Sequence, residues 1–308
     1  MCGIAGIVGP GAEGLEESVL AMNAAQRHRG PDDEGTLFVP GIALGHLRLS
    51  IIDLSAAGHQ PMTSRDGRFT IVFNGEIYNY IELYAELGGP GVFRSACDTE
   101  VLLEAFAKWG PDCVERLRGM FAFAVWDHAE RSLFLARDRF GIKPLYYASH
   151  GGHTVFASEI KALLAAGVPA VPDMATIGEY LTTGLFDHRP RTFFSGVSSL
   201  PPGHFVTVAA DGAAGEAKPY YKLADHVDAG LAGISLGEAK ERYLSKLRQA
   251  IVQHQRSDVP LGAMVSGGLD SSALIALMAE GKDHPVNVEA FSLDFPDELY
   301  SERRWAEQ

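Results

Sequence analysis

The chain opens MCGIAGIVG, residues 1–9. A cysteine stands directly behind the initiator methionine, at the first position that processing can expose, and small or apolar residues follow it. Two readings compete, and the choice between them decides the fold. Cys2 is either a buried residue of a first strand or an N-terminal nucleophile. Taken alone, the stretch favours the strand, so the decision has to come from the rest of the chain.

The 308 residues leave room for two domains of ordinary size, and 46% hydrophobic with 21% charged residues is the composition of a soluble globular protein. A formal net charge of −13 argues against a nucleic-acid or acidic-membrane binder, although a local basic site for an anionic ligand stays open. The cysteines are Cys2, Cys97 and Cys113, odd in number and without a CxxC pair, which points to a reducing compartment. The first basic residue is Arg27, so the N-terminus lacks the basic region of a secretory signal. The longest apolar runs, such as MFAFAVW (120–126), are too short for a bilayer. A cytoplasmic location is expected.

Strand-like runs fill the first two hundred residues: CGIAGIV, IALGHLRLSIID, FTIVFNG, MFAFAVWD, SLFLARD and TVFASE. Helical spacing marks TEVLLEAFAKWG, with Thr99 a candidate cap and Gly110 a stop, and ATIGEYLTTG. Strands grouped with strands and helices with helices predict a layered α+β domain over residues 2–208. Residues 209–235, rich in Ala, Gly and Asp, read as a linker. A helix (SLGEAKERYLSKLRQAIVQH), a strand (LGAMV), a glycine turn, a second helix and a strand (NVEAFSLDF) then start a doubly wound α/β domain over 236–308. Two strands do not complete such a sheet, so the second domain is expected to be cut short.

The turn SGGLDSS (266–272) joins strand to helix. Its glycines permit close backbone approach, Ser271 and Ser272 are candidate caps, and helix N-terminal N–H groups bind phosphate. Asp270 beside a phosphate suggests Mg²⁺ between them. The Walker spacing is absent. FNGEIYN (73–79) places Asn74, Gly75 and Glu76 at a turn into a helix, where a side-chain amide beside a glycine N–H suits an oxyanion. Arg48 stands in an apolar strand and offers a planar fork for a carboxylate, and Asp98 at a helix start offers a cap or an ammonium partner. His46, His59 and His153 show no metal-ligand spacing and read as ordinary polar residues, and Arg137, Asp138 and Lys143 read as structural.

Taken together, MCGIAGIVG, RHRGPDDEG, HLRLSIIDLSAAGHQPM, FNGEIYN, CDTE, RDRFGIKPLYY, FASEIKAL and LPPGH resemble, in order, the class II glutamine amidotransferases. LGAMVSGGLDSS resembles the ATP-pyrophosphatase loop, and the pairing is similar to the glutamine-hydrolysing asparagine synthetase family. The resemblance implies an N-terminal-nucleophile αββα sandwich with two antiparallel sheets. It implies Cys2 as nucleophile once Met1 is removed, with its own α-amine as base, and Asn74 with the Gly75 N–H as oxyanion hole. Arg48 is implied for the glutamine α-carboxylate, and Glu76 and Asp98 for its α-ammonium. In the second domain it implies ATP, Mg²⁺ and aspartate, with β-aspartyl-AMP and pyrophosphate formed and ammonia arriving through a tunnel to give asparagine, AMP and glutamate. Ser266, Gly267, Gly268, Asp270, Ser271 and Ser272 are implied for pyrophosphate and Mg²⁺, and Leu261 and Leu293 for the nucleotide through backbone groups. Asp294 departs from the glycine often found there.

The resemblance leaves other carboxylate acceptors open, as in amide- or β-lactam-forming synthetases on the same frame. Phosphoribosyl and fructose-6-phosphate amidotransferases share only the first domain and lack SGGLDSS. A non-catalytic binding module is disfavoured because Cys2, Arg48, Asn74 and Asp98 are all present. The partners implied are the small molecules glutamine, aspartate and ATP, with neither nucleic acid nor membrane. A homodimer is compatible with the sequence, which does not fix the oligomeric state. The aspartate-binding residues are expected past Gln308, so glutamine hydrolysis without asparagine formation is expected of residues 1–308.

Overall fold

The structure is a computed structural model that describes residues 1–280, 289–296 and 301–307. Of the predicted segments, Gly281 of the helix SSALIALMAEG and Asn287 and Val288 of the strand NVEAFSLDF lie outside the described residues. The chain divides into two units, Met1–His226 and Val227–Gln308.

The strands of the first unit are β1 (Gly3–Val8), β2 (Asp33–Val39), β3 (Ile42–Arg48), β4 (Met62–Thr63), β5 (Phe69–Ile77) and β6 (Gly119–Asp127). They continue with β7 (Ser132–Arg137), β8 (Tyr146–His150), β9 (His153–Ala157), β10 (Val197–Ser199), β11 (His204–Val208) and β12 (Lys218–Pro219). They form two six-stranded sheets, ordered β10-β8-β9-β1-β3-β2 and β12-β11-β7-β6-β5-β4, with antiparallel neighbours throughout. The helices are α1 (Glu16–Ala25), α2 (Tyr80–Glu86), α3 (Asp98–Trp109), α4 (Cys113–Arg116), α5 (Ile160–Ala165) and α6 (Met174–Thr183).

Alternation along the strands builds the layers. Ile4 and Val8 of β1 meet Val72, Ala122, Ala124 and Trp126 between the sheets. Ala5 and Ile7 face the other way, onto Val19 and Met22 of α1 and Ala162 and Leu163 of α5. The far face of the second sheet packs Ile71, Phe73 and Phe123 against Leu83 of α2 and Val101, Leu102 and Phe106 of α3. The order is therefore α, β, β, α. Because both faces of each central strand are covered, β1 is buried over its whole length, and such strands read as near-continuous apolar runs.

Three local expectations change. Asn74, Gly75 and Glu76 lie within β5 rather than in a turn, because the ladder with β6 continues to Ile77↔Gly119 and α2 starts only at Tyr80. The cap of α3 is Cys97, not Thr99, and its Asp98 side chain reaches across to β5 instead of its own helix end. Residues 209–221, read as linker from composition, belong to the first unit. They make a hairpin in which the Ala209 N–H donates to Ala213 O (2.9 Å), followed by edge strand β12 on β11. The Tyr220 hydroxyl anchors them to Arg137 O at 2.8 Å. Ala, Gly and Asp serve a tight hairpin as readily as a linker, and the free edge of β11 decides which.

The second unit contains α7 (Leu236–His254), β13 (Gly262–Met264), α8 (Leu269–Ala279), β14 (Glu289–Phe291) and α9 (Arg303–Ala306). Ser235 caps α7 through the Glu238 N–H. β13 and β14 pair in parallel, Ala263 opposite Ala290, as an α/β crossover requires. Among its described residues only Ile251 and Gln253 are buried, and Met264, Leu269, Phe291, Leu293 and Trp305 are exposed. No helix among the described residues is long and apolar enough to cross a membrane.

Candidate active site

Cys2 stands just ahead of β1, and side chains hold this end of the strand. Arg29 Nε donates to Cys2 O at 2.9 Å, Gln26 Nε2 donates to Ile4 O at 3.0 Å, and the Ile4 N–H donates to Ser158 Oγ at 3.0 Å. The thiol accepts the Leu49 N–H at 3.4 Å and lies 3.6 Å from Leu49 O. Burial pushes the Cys2 thiol up, so it remains protonated near neutrality. Partial burial, aided by the cationic Lys143 and Arg29 and opposed by Cys2, lowers the Met1 α-amine. A buried, protonated thiol needs a neighbouring base before it can act as a nucleophile.

The edge of β5 that faces away from β6 forms a second part. The Phe73 N–H donates to Gln60 Oε1 at 2.7 Å, and Phe73 O accepts from His46 Nε2 at 3.0 Å. The Ile77 N–H donates to Asp98 Oδ2 at 2.9 Å. By the two-residue period of a strand, the Gly75 N–H points to this same edge, between two occupied positions. Gly75 has to be glycine, since a Cβ there would lie 2.2 Å from Met120 O. Asn74 faces the layer between the sheets and is fully buried, and neither Oδ1 nor Nδ2 has a hydrogen-bond partner. Buried amides without partners cost about 1–3 kcal/mol and are rare in folded proteins.

Cys2, Arg48, Leu49, Ile51, Ile52, Gln60, Phe73, Gly75, Glu76, Cys97, Asp98 and Thr99 line one pocket. The structure therefore gathers Cys2, Arg48, Gly75, Glu76 and Asp98 from segments up to 96 residues apart, while Asn74 is absent from the lining. Arg48 is almost buried. Its guanidinium donates to the carbonyls of Ser55 (2.7 Å), Ile52 (3.3 Å) and Asp53, which ties the loop after β3 over the pocket. Burial and the neighbouring Glu76 raise the Asp98 carboxyl to about 7, and burial raises the Cys97 thiol to about 12.

The Asp98 carboxyl makes stability depend on pH. Its folded pKa is raised above the ordinary carboxylate value, so its contribution to stability is complete below about pH 4 and is lost as pH rises through about 7. Asp98→Asn is expected to melt higher than the parent at pH 8 and to lose that advantage at pH 4, as thermal unfolding at the two pH values would show. A variant that melts lower at pH 8 contradicts the assignment.

His46, Gln60 and Arg29 are residues that the sequence left without a role at the site, and Thr99 read only as a helix cap. His46 bridges the two sheets and is wholly buried, and burial lowers it to about 4, which keeps it neutral. Arg29 and Gln60 are likewise buried among backbone groups of the site. The only available signal was that both stretches, RHRG and GHQPM, are polar segments between apolar strands.

In the second unit, Gly267 adopts φ +72° between β13 and α8, a conformation that favours glycine. Gly268, not a serine, is the N-cap of α8. Ser271 lies inside the first turn and turns back, 3.1 Å from Ser266 Oγ and 3.2 Å from Gly268 O. Ser272 is already in the helical ladder, its N–H donating to Gly268 O at 3.1 Å. The loop stands at the carboxyl end of two parallel strands, the usual ligand position in such sheets. Leu293, just past β14, is at this end. Leu261 precedes β13 and is at the opposite end, where its carbonyl accepts the Glu289 N–H. Asp294 accepts the Ser301 hydroxyl at 2.7 Å and pairs with Arg303 at 3.6 Å. Among the described residues, no three His, Cys, Asp or Glu side chains are grouped to hold a metal.

A family of glutamine amidotransferase domains matches residues 1–221. The chain belongs to the glutamine amidotransferase family. Residues 242–308 of this amidotransferase match the asparagine synthase family. Asparagine synthetase [glutamine-hydrolyzing] 1 of Bacillus subtilis is 37% identical over 98% of this chain and 47% of its own length. A putative asparagine synthetase [glutamine-hydrolyzing] 2 of Methanocaldococcus jannaschii is 36% identical over 96% and 60%. The chain thus spans about half the length of the curated relatives it matches. Among solved structures, a glutamine phosphoribosylpyrophosphate amidotransferase from B. subtilis, complexed with ADP and GMP, superimposes with a TM-score of 0.54. Its identity is 18%, over 94% of this chain and 65% of that one. The likeness shows the fold: this is the α+β amidotransferase sandwich of two antiparallel sheets.

Proposed function

We propose that the first unit hydrolyses glutamine with Cys2 as nucleophile and delivers the ammonia to an ATP-dependent synthetase half that makes asparagine. The observation that carries the first step is the Asn74 side chain, buried without a hydrogen-bond partner beside the Gly75 N–H on the open edge of β5. A buried amide without a partner, next in sequence to a free strand-edge donor, suits an anion that exists only during reaction.

With Met1 removed, the Cys2 thiol attacks the glutamine δ-carbonyl and its proton passes to the Cys2 α-amine. The carbonyl oxygen becomes an oxyanion that receives hydrogen bonds from the Gly75 N–H and Asn74 Nδ2. The intermediate collapses, the ammonium returns the proton, and ammonia leaves. Water then cleaves the γ-glutamyl thioester to glutamate and the free thiol. Asp98 and Glu76 receive the substrate ammonium. Arg48 receives its α-carboxylate by exchanging a loop carbonyl for a ligand oxygen.

For the second unit, the SGGLDSS loop at a helix N-terminus and the names of the relatives support ATP and aspartate as substrates, with ammonia displacing AMP from β-aspartyl-AMP. Ser266, Gly268 and Ser271 would receive pyrophosphate. A lone Asp270 fits Mg²⁺ in the mode where phosphates and water complete the coordination, and the ion would there neutralise phosphate charge.

The test of the first step is glutamate release from glutamine without ATP, coupled to a pH profile. Because Asp98 must be ionised to hold an ammonium, kcat/KM for glutamine is expected to fall as pH drops through about 7. A protein that binds glutamine yet releases no glutamate at any pH contradicts the proposal.

A further inference from the structure

We infer that Gln60, together with His46, is a positioning residue for glutamine hydrolysis, replacing a neighbouring strand along the free edge of β5 so that the Gly75 N–H stays unpaired in the Cys2 pocket. The inference rests on the glutaminase reading above.

The ladder between β4 and β5 runs Thr63↔Thr70 and Met62↔Ile71 and then stops. Continued in register, it would set residue 60 opposite Phe73 and residue 58 opposite Gly75, and the backbone of residue 58 would pair with the Gly75 N–H. The chain departs instead. At the position opposite Phe73, Gln60 offers its side-chain Oε1 to the Phe73 N–H at 2.7 Å, while its backbone carbonyl is packed against Gly35. Gln60 Nε2 is in turn held by Thr99 Oγ1 at 3.2 Å, next to the Asp98 that occupies the Ile77 N–H. His46 Nε2 completes the clamp by donating to Phe73 O at 3.0 Å from the opposite sheet. Both polar groups of Phe73 are thus fixed by buried side chains, and the Gly75 N–H on the same edge has no hydrogen-bond partner among the described residues. A strand edge supported by side chains instead of a ladder keeps its geometry yet leaves a donor free for a ligand.

The test compares two reactions of Cys2. Hydrolysis of glutamine builds an oxyanion at the carbonyl, whereas alkylation by iodoacetamide displaces iodide and needs no such donor. Cys97 and Cys113 are buried and their thiols are pushed up, and alkylation of Cys2 is read on its own N-terminal peptide by mass spectrometry. Gln60→Met keeps the volume and loses the hydrogen bonds. It is expected to lower kcat about 10- to 100-fold with little change in KM, since small misplacements of catalytic donors have effects of that size. Alkylation is expected to proceed at the parent rate, and Gln60→Glu, which keeps the acceptor for Phe73, is expected to recover most of kcat. Thr99→Val frees the Gln60 amide without touching β5 and carries the same comparison in a second variant. Parent-like kcat in both Q60M and T99V, or hydrolysis and alkylation falling together, overturns the inference. A parent protein without glutaminase activity overturns the reading on which it rests.

Discussion

Cys2→Ala is expected to reduce glutamine hydrolysis by about 10⁴-fold or more, to the level of background, because removing a covalent nucleophile abolishes the route rather than weakening one interaction in it. Folding is expected to be unaffected. Among the described residues, the thiol's hydrogen-bond contacts are the long ones to the Leu49 backbone, at 3.4 and 3.6 Å. The strand behind it is held by Arg29, Gln26 and Ser158, none of which contacts the sulfur. The same loss is expected of a protein that keeps Met1 or any residue ahead of Cys2. The amine would then belong to the wrong residue, and the buried thiol, pushed up by desolvation, would have no base. Glutamate release by a protein with a cleavable N-terminal extension, assayed before and after cleavage, makes the comparison. Activity within tenfold of the parent in the alanine variant, or before cleavage, sinks the nucleophile assignment.

Asn74→Ala is expected to lower kcat about 10²- to 10³-fold, the usual effect of losing one oxyanion donor. KM for glutamine should change little, because Asn74 is absent from the pocket lining and meets only the transient anion. Stability should move in a different way from that of an ordinary buried polar residue. The amide has no partner to lose, so the variant is expected to unfold within about 1 kcal/mol of the parent. A structural asparagine would behave oppositely, with a clear loss of stability and kcat preserved. Steady-state kinetics and denaturant unfolding on the same preparation separate the two.

The local order of this chain was legible in its sequence. The apolar run after Cys2 is β1, the periodic TEVLLEAFAKWG is α3 with Gly110 at its end, and SGGLDSS joins a strand to a helix. These are matters of neighbours two, three or four residues apart, and side-chain periodicity records them. Residue types also named most of the pocket. A nucleophile, a guanidinium and two carboxylates were readable as chemistry, even though nothing local said that they would meet.

Their meeting was decided by pairing between distant segments. Asn74, Gly75 and Glu76 carry the Asn-Gly signal of a turn, yet they lie in a strand because β6, some 45 residues on, continues the ladder past them. Residues 209–221 have the composition of a linker and become part of a sheet because β11 offers an edge. His46 read as an ordinary polar residue and Gln60 drew no reading of its own, and the importance of the Phe73 peptide between them arises only where β4 stops pairing with β5. A backbone hydrogen bond has the same strength whichever residue supplies it. The sequence therefore determined which segments were strands and which side chains could act, and only the tertiary structure determined which strand edge was left open and what lay against it.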